Sequence, residues 1–140
     1  MASLDQITED FQFLDDWEDR YRYVIELGKD LEPLDPAEKT EDHKVQGCVS
    51  QVWLVPAIEQ PDAEDPVIRY RGDSDAHIVR GLVAIVLAAY SGRRASEIQA
   101  IDAVSLFDTL GLVEHLTPQR ANGLRSMVAR IKQEAAMAAA

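Results

Sequence analysis

One side chain in this sequence is suited to covalent chemistry and has neighbours that favour its use. Cys48 is the only cysteine among the 140 residues. An unpaired cysteine is most often a small buried hydrophobe. Here Gly47 precedes it and permits a backbone turn that other residues avoid, which predicts that the thiol lies at a loop tip within reach of a partner. Because ordinary surfaces avoid exposed thiols, this position indicates a working cysteine.

A single thiol excludes several kinds of chemistry. It cannot form an intramolecular disulfide, a redox pair with a resolving cysteine, or a zinc or iron–sulfur site built from several thiolates of one chain. A cysteine hydrolase needs an imidazole within hydrogen-bonding reach. The three histidines, His43, His77 and His115, are widely spaced and carry no local catalytic signature. What remains is a thiol that exchanges sulfur with another protein.

The other candidate groups have simpler interpretations. Asp73-Ser74-Asp75 and His77 contain the residue types of a catalytic triad, but their spacing is more typical of side chains that cap the first turn of a helix. Arg120 is different, because a cation in the first turn of a helix opposes the helix dipole. Its position therefore favours a role in packing or in pairing with an anion.

The charge of the chain is strongly acidic and uneven. The formal net charge is -11 and the isoelectric point is about 4.6, which argues against nucleic acid as a partner. Residues 1–65 hold 18 Asp or Glu against 5 Lys or Arg, whereas residues 66–140 hold 7 against 9. We interpret the acidic runs as solvated faces.

Hydrophobic spacing predicts helices at both ends of the chain and strands in between. One amphipathic helix is expected from Thr8 to about Gly28, and a proline-broken loop follows it. Apolar runs predict two strands, with a short third strand at 44–46. A central helix that is apolar nearly all round follows, then one or two short helices. The last helix starts at Thr117 and Pro118, and the ends, about 1–7 and 134–140, are expected to fray.

Nothing in the sequence predicts a membrane protein. No stretch of about 18 apolar residues is present, and the N-terminus lacks the basic and apolar regions of a secretory signal. We therefore expect a soluble protein, and an unpaired cysteine fits the reducing cytoplasm.

Three separated motifs resemble those of the SufE family of cysteine desulfuration proteins. Gly47-Cys48-Val49-Ser50-Gln51-Val52-Trp53 is similar to the family's Gly-Cys-x-Ser-Gln-Val-Trp motif. The second and third motifs correspond to the segment from Gly72 to Leu82 and the segment from His115 to Leu124. The first helix, with Trp17-Glu18 and Glu26-Leu27-Gly28, is also similar. The resemblance extends over about residues 10–132. We therefore expect one domain that comprises residues 1–140.

The resemblance implies both a fold and a function. The fold is α+β, with a small antiparallel sheet and packed helices as in IscU-type scaffolds. The function is that of a sulfur carrier, in which a thiol accepts persulfide sulfur from a pyridoxal-phosphate cysteine desulfurase of the SufS type and passes it to a SufBCD-type scaffold. The carrier itself needs no cofactor or metal, and the family suggests a monomer or weak homodimer.

The resemblance also assigns roles to individual residues. Cys48 corresponds to the persulfide-forming acceptor, and a loop that shelters it between transfers is expected. The remaining matched residues are expected to support the loop or to dock the partner: Gly47, Ser50, Gln51, Trp53, Asp73, Asp75 and Arg120.

Three alternatives to this assignment stay open. The protein could be a regulatory module of the desulfurase in which Cys48 is incidental, a CsdE-type carrier that serves another acceptor, or a thiol enzyme with an intermolecular resolving thiol.

Overall fold

The computed structural model describes residues 3–48 and 50–139, which contain six α-helices and three β-strands. Two short 3-10 turns, Pro36–Glu38 and Val113–His115, lie in the connections. In chain order the elements are α1 (Leu4–Phe13), α2 (Trp17–Lys29), β1 (Val52–Glu59), β2 (Val67–Ser74), α3 (His77–Tyr90), β3 (Arg93–Arg94), α4 (Ala95–Ala100), α5 (Ala103–Thr109) and α6 (Pro118–Ala139).

The strands form one antiparallel sheet in the order β1-β2-β3. β1 and β2 make a hairpin whose register places Val52 opposite Ser74, as the two apolar runs predicted. The predicted strand at 44–46 is wrong, because only Lys44 makes an isolated bridge, to Trp53, before the chain turns. Helices pack on this small sheet, so the predicted α+β class is confirmed.

α3 lies at the centre of the core, and its predicted burial is confirmed. Every residue from 82 to 87 is buried, and the helix packs against α2, β2 and α6. α2 crosses it so closely that a β-carbon on Gly81 would lie 2.0 Å from the carbonyl oxygen of Val24. Only glycine allows this approach of two backbones. α3 thereby joins the sheet to the helices α2 and α6.

The predicted single helix over 8–28 is wrong, because the chain breaks it between α1 and α2. Asp16 caps α2 by accepting a hydrogen bond from an amide of its first turn. Arg20 donates to two carbonyl oxygens at the end of α1, at 2.7 and 3.0 Å. Side chains therefore satisfy an amide at the start of α2 and two carbonyls at the end of α1, which stabilises the interruption.

The predicted cap of α3 by residues 73–75 is also wrong. Asp73 and Ser74 are the last residues of β2, and Ala76 occupies the N-cap position of α3. The pairing of β2 with β1 extends as far as Ser74. The Asp73 carboxylate contacts Arg80 on α3 and Ser74 Oγ accepts from the Ala76 amide at 3.3 Å, but neither side chain occupies the N-cap position.

Two predictions for the second half of the chain are confirmed. After α3, where Arg93 Nε donates to the Ala89 carbonyl at 2.7 Å, the chain turns back into helix. Two short helices, α4 and α5, follow. Thr117 caps α6 by accepting from the Arg120 amide at 3.3 Å, and Pro118 is the first helical residue.

Both terminal stretches contain helix. α1 begins at Leu4 and α6 continues to Ala139, and Ile7 and Ala135 are fully buried. Within residues 3–48 and 50–139, no helix is both long and apolar enough to cross a membrane.

Candidate functional site

Cys48 lies against the N-terminal half of α6. Its Sγ is 3.7 Å from the carbonyl oxygen of Gly123, and its side chain is only partly exposed. Gly47, with φ of 89°, turns the chain toward the helix. A β-carbon at Gly47 would lie 2.6 Å from Ser126 Oγ, so both the turn and the close approach require glycine. The thiol is thus sheltered against a helix rather than exposed at a loop tip.

A cleft of about 330 Å³ opens beside Cys48. It combines an apolar wall from α3 and α6 with polar groups from the cysteine loop and the start of α6. Its lining residues are Cys48, Ser50, Val79, Leu82, Thr117, Gln119, Arg120, Gly123 and Met127.

The N-terminal end of α6 gives this cleft a positive character. Arg120 lines it at the positive end of the helix dipole, and both features favour an anion. In the part of the chain that the structure describes, no carboxylate forms an ion pair with Arg120. The guanidinium is therefore available to a negatively charged group that enters the cleft.

Burial raises the pKa of the Cys48 thiol, because apolar surroundings disfavour the charged thiolate. In this conformation the thiolate fraction is smaller than that of an ordinary thiol, so the sulfur is a weaker nucleophile. Movement of the sulfur out of the shelter would increase its reactivity.

Hydrogen bonds fix both ends of the cysteine loop, which we define as residues 46–50. Before the loop, the Val45 amide donates to the carbonyl of Val52 at 2.8 Å. After it, the Gln51 amide donates to Asp75 Oδ1 at 3.0 Å, and the Asp75 amide donates back to the Gln51 carbonyl at 3.3 Å. The loop therefore spans two fixed points on the sheet.

Trp53 and Asp73 lie opposite each other on β1 and β2, outside the cleft. Lys39 joins them, since its Nζ is 3.3 Å from Asp73 Oδ2 and 5.2 Å from the centre of the Trp53 ring. Asp73 is also 2.8 Å from Arg80 Nε, a contact with ion-pair but not hydrogen-bond geometry. The network holds the segment around Lys39 over the sheet, next to the strand that leaves the cysteine loop.

The structure brings the predicted site residues together in two groups. Cys48, Ser50 and Arg120 line the cleft, and Gly47 turns the loop toward α6. The others, Gln51, Trp53, Asp73 and Asp75, lie at the base of the loop.

Two of the three histidines have partners away from Cys48. His43 Nδ1 is 2.7 Å from the Glu38 carbonyl oxygen, and the His115 ring stacks on Trp17 with centroids 3.9 Å apart. Among the described residues, no group of three or more His, Cys, Asp or Glu side chains could hold a metal ion.

Residue-by-residue prediction missed several groups that surround the cysteine. Gly123 belongs to the third motif, but no local pattern places it under Cys48. Ser126 and Lys39 lie outside the motifs, and nothing in their local sequence indicates that they contact the loop or its base. Only the packing of α6 and the 36–39 segment reveals them.

Comparison with known proteins shows the family of this chain. The SufE family profile, described as an Fe-S metabolism associated domain, matches residues 5–135. An uncharacterised SufE-like protein of Rhizobium meliloti is 65% identical over 135 residues, which are 96% of each chain. Another, from Rhizobium etli, is 64% identical over 140 residues, covering 100% of this chain and 94% of the relative.

A solved structure shares the fold. The solution structure of a hypothetical protein from Thermus thermophilus superposes with a TM-score of 0.75 over 99% of this chain and 98% of that one, at 20% sequence identity. That likeness concerns the fold alone. Because the family profile spans nearly the whole chain and close relatives share about two thirds of its residues, this chain belongs to the SufE family.

Proposed function

We propose that this protein is a sulfur carrier in which Cys48 accepts sulfur from a persulfide on a SufS-type cysteine desulfurase. The observation that carries the proposal is the position of the chain's only cysteine, in a cleft that also contains an unpaired arginine. The pyridoxal phosphate belongs to the desulfurase. This chain supplies one nucleophile and the pocket that controls it.

The transfer is a thiol exchange without net oxidation. The Cys48 thiolate attacks the outer sulfur of the donor persulfide, a new S–S bond forms on Cys48, and the S–S bond of the donor breaks. The desulfurase cysteine leaves as a thiolate and takes up a proton. Cys48 ends as a persulfide, whose outer sulfur is anionic near neutral pH.

The cleft is suited to both the thiolate and the persulfide. A disulfide-type bond adds about 2.05 Å to the cysteine side chain. The cleft beside Cys48 has room for that extra atom. Arg120 and the N-terminal end of α6 would stabilise its negative charge, which neutral apolar walls alone would destabilise.

The sheltered thiol indicates a loop with two states. In the state described here, Cys48 is protected from oxidants and reductants but has a raised pKa and low nucleophilicity. Docking of the desulfurase would draw residues 46–50 away from α6, between the fixed points at Val45 and Gln51, and bring the sulfur to the donor.

The carrier then passes its sulfur to a second protein, which we propose is a SufBCD-type iron–sulfur scaffold in the cytoplasm. One cysteine can hold a single sulfur but cannot assemble a cluster, so a carrier is favoured over a scaffold. A CsdE-type role, with a different final acceptor, would use the same chemistry at Cys48.

Mass spectrometry after incubation with cysteine and a SufS-type desulfurase tests the transfer. The expected result is a mass gain of one sulfur atom confined to Cys48, together with faster turnover of the desulfurase. Cys48→Ser should remove both the adduct and the stimulation, while its unfolding midpoint stays close to that of the wild type.

The competing regulatory function predicts the opposite outcome. A module that activates the desulfurase only by binding would still stimulate it after Cys48→Ser and would carry no sulfur. Stimulation that survives this substitution would therefore refute sulfur relay through Cys48.

A further inference from the structure

A second arginine of α6, Arg130, contacts the chain just before the cysteine loop. Its guanidinium donates to the main-chain carbonyl of Lys44 at 3.1 Å and also to that of Asp42. Both acceptors are main-chain atoms. The contact therefore depends on the course of the backbone and not on the side chains at positions 42 and 44.

Other charged and polar groups hold Arg130 in place. Its Nε is 3.4 Å from Glu134 Oε2, one helical turn further along. Glu134 in turn accepts a hydrogen bond from the Tyr70 hydroxyl of β2, at 3.0 Å. The arginine side chain is 23% exposed, so it is partly desolvated and restricted to this orientation. Arg130 thus joins three parts of the fold: α6, the sheet and the segment that enters the loop.

The contacts along α6 have a regular register. Gly123, Ser126 and Arg130 are three and four residues apart and share one face of the helix. Cys48 lies against the first, Gly47 against the second, and Lys44 against the third. The segment 44–48 therefore runs antiparallel to α6.

The extended length of the segment 44–48 is only slightly greater than the distance that it spans along α6. Gly123 and Arg130 are separated by about 10 Å along the helix axis, at 1.5 Å per residue. The five residues from Lys44 to Cys48 are joined by four Cα–Cα steps, which span about 13 to 14 Å when fully extended. Fixing Lys44 at Arg130 therefore determines where along α6 the sulfur can lie.

We infer that Arg130 is a positioning residue that anchors the entry to the cysteine loop and thereby holds Cys48 over Gly123. Main-chain bonds of His43 and Val45 already hold this segment to β1, and Arg130 adds its connection to α6. Without Arg130 the segment would stay on the sheet, but its position against α6, and with it that of Cys48, would no longer be fixed. The inference deepens the proposed function and rests on it, because a carrier loop must close as well as open.

Alkylation of Cys48 in the free protein tests the anchor. Arg130→Met keeps the aliphatic stem of the side chain but removes every hydrogen-bond donor. It should raise the alkylation rate constant at neutral pH about fivefold or more, because the closed state loses the equivalent of one net hydrogen bond. Arg130→Lys keeps the charge beside Glu134 but cannot donate to both carbonyls, so its rate should fall between those of the wild type and Arg130→Met.

Arg125→Met is the matched control. Arg125 is on the same helix, and among the described residues its guanidinium hydrogen-bonds only the exposed side chain of Asn122, so this variant should react like the wild type.

Low concentrations of urea separate loop opening from general destabilisation. Local opening exposes little surface, so the faster rate of Arg130→Met should be nearly independent of urea, whereas reaction through global unfolding rises steeply with it. The inference is overturned if Arg130→Met reacts at the wild-type rate, or if its faster reaction follows global unfolding. Because no desulfurase is present, these results stand whether or not Cys48 accepts sulfur in the transfer assay.

Discussion

At the scale of single residues, the surroundings of Cys48 decide its reactivity. Apolar groups of α3 and α6 raise the pKa of the thiol in the closed loop, while Arg120 lines the same cleft and favours a negative charge. These opposite influences suit a carrier. The neutral thiol is favoured in the closed loop, whereas an anion formed in the cleft would have a cation beside it.

Alkylation as a function of pH measures the effect of burial on Cys48. A raised pKa means a smaller thiolate fraction at any given pH, so the rate in the folded protein should reach half of its maximum at a higher pH than in the urea-unfolded chain. The rate of iodoacetamide modification, followed by mass spectrometry between about pH 6 and pH 10, provides both curves. Coincident curves would mean that the folded protein leaves its thiol in water.

The sequence was sufficient to single out Cys48 as the candidate but not to predict the contacts that shelter it. Cys48 stood out because it is unpaired, follows glycine and lies in a recognisable motif. The contacts with Gly123 and Ser126 lie about 75 residues away along the chain, and no local pattern encodes them. The prediction of Asp73 as a helix cap is wrong for the same reason. Its partners Lys39 and Arg80 contact it only in the folded chain.

At the scale of elements, closely packed helices give the cysteine loop a fixed base. α6 supplies the surface on which the loop rests, and α3 holds α6 against the sheet. The crossing of α2 and α3 at Gly81 is the tightest part of this arrangement, because the Val24 carbonyl occupies the space that a side chain would need.

A pair of glycine substitutions tests the importance of that crossing. Gly81→Ala should destabilise the fold by about 3 kcal/mol or more, because the two backbones must separate to admit a methyl group. Gly123→Ala is the matched control within α6. Its β-carbon would lie at an ordinary 3.5 Å from Cys48 Sγ, and replacing a helical glycine with alanine should add up to about 1 kcal/mol of stability.

Urea unfolding of both variants and the wild type measures these differences. Equal stability of Gly81→Ala and the wild type would show that α2 can shift at little cost.

Hydrophobic spacing predicted most elements but not their interruptions. The apolar stripe continues in phase through Phe11, Leu14 and Trp17, so periodicity alone indicates one helix where there are two. The break depends on Asp16 as a cap and on Arg20 reaching back to the end of α1. Such contacts are specific to side-chain geometry, which a period of 3.6 residues cannot reveal.

At the scale of the whole molecule, the acidic and the reactive parts of the chain are largely separate. The excess of negative charge belongs to residues 1–65, whereas most of the cleft lining comes from α3 and α6 in the nearly neutral second part. The acidic part, in α1, α2 and the following loop, faces solvent over many of its residues. It thereby offers a surface for a basic partner without placing negative charge beside the Cys48 thiolate.

Hydrogen exchange should reveal a rigid frame that carries one movable loop. α3 is buried on nearly all sides, so its amides should exchange only through global unfolding and have the highest protection in the protein. The amides of Gly47 and Cys48 should exchange through local opening, with free energies well below the global value and little dependence on urea. Mass spectrometry or NMR of the wild type at several urea concentrations makes the comparison, and the urea unfolding curve supplies the global free energy. If the loop amides were as protected as those of α3, the sheltered state would be permanent. Cys48 could then meet a donor persulfide only through unfolding, which is incompatible with a carrier that transfers sulfur repeatedly.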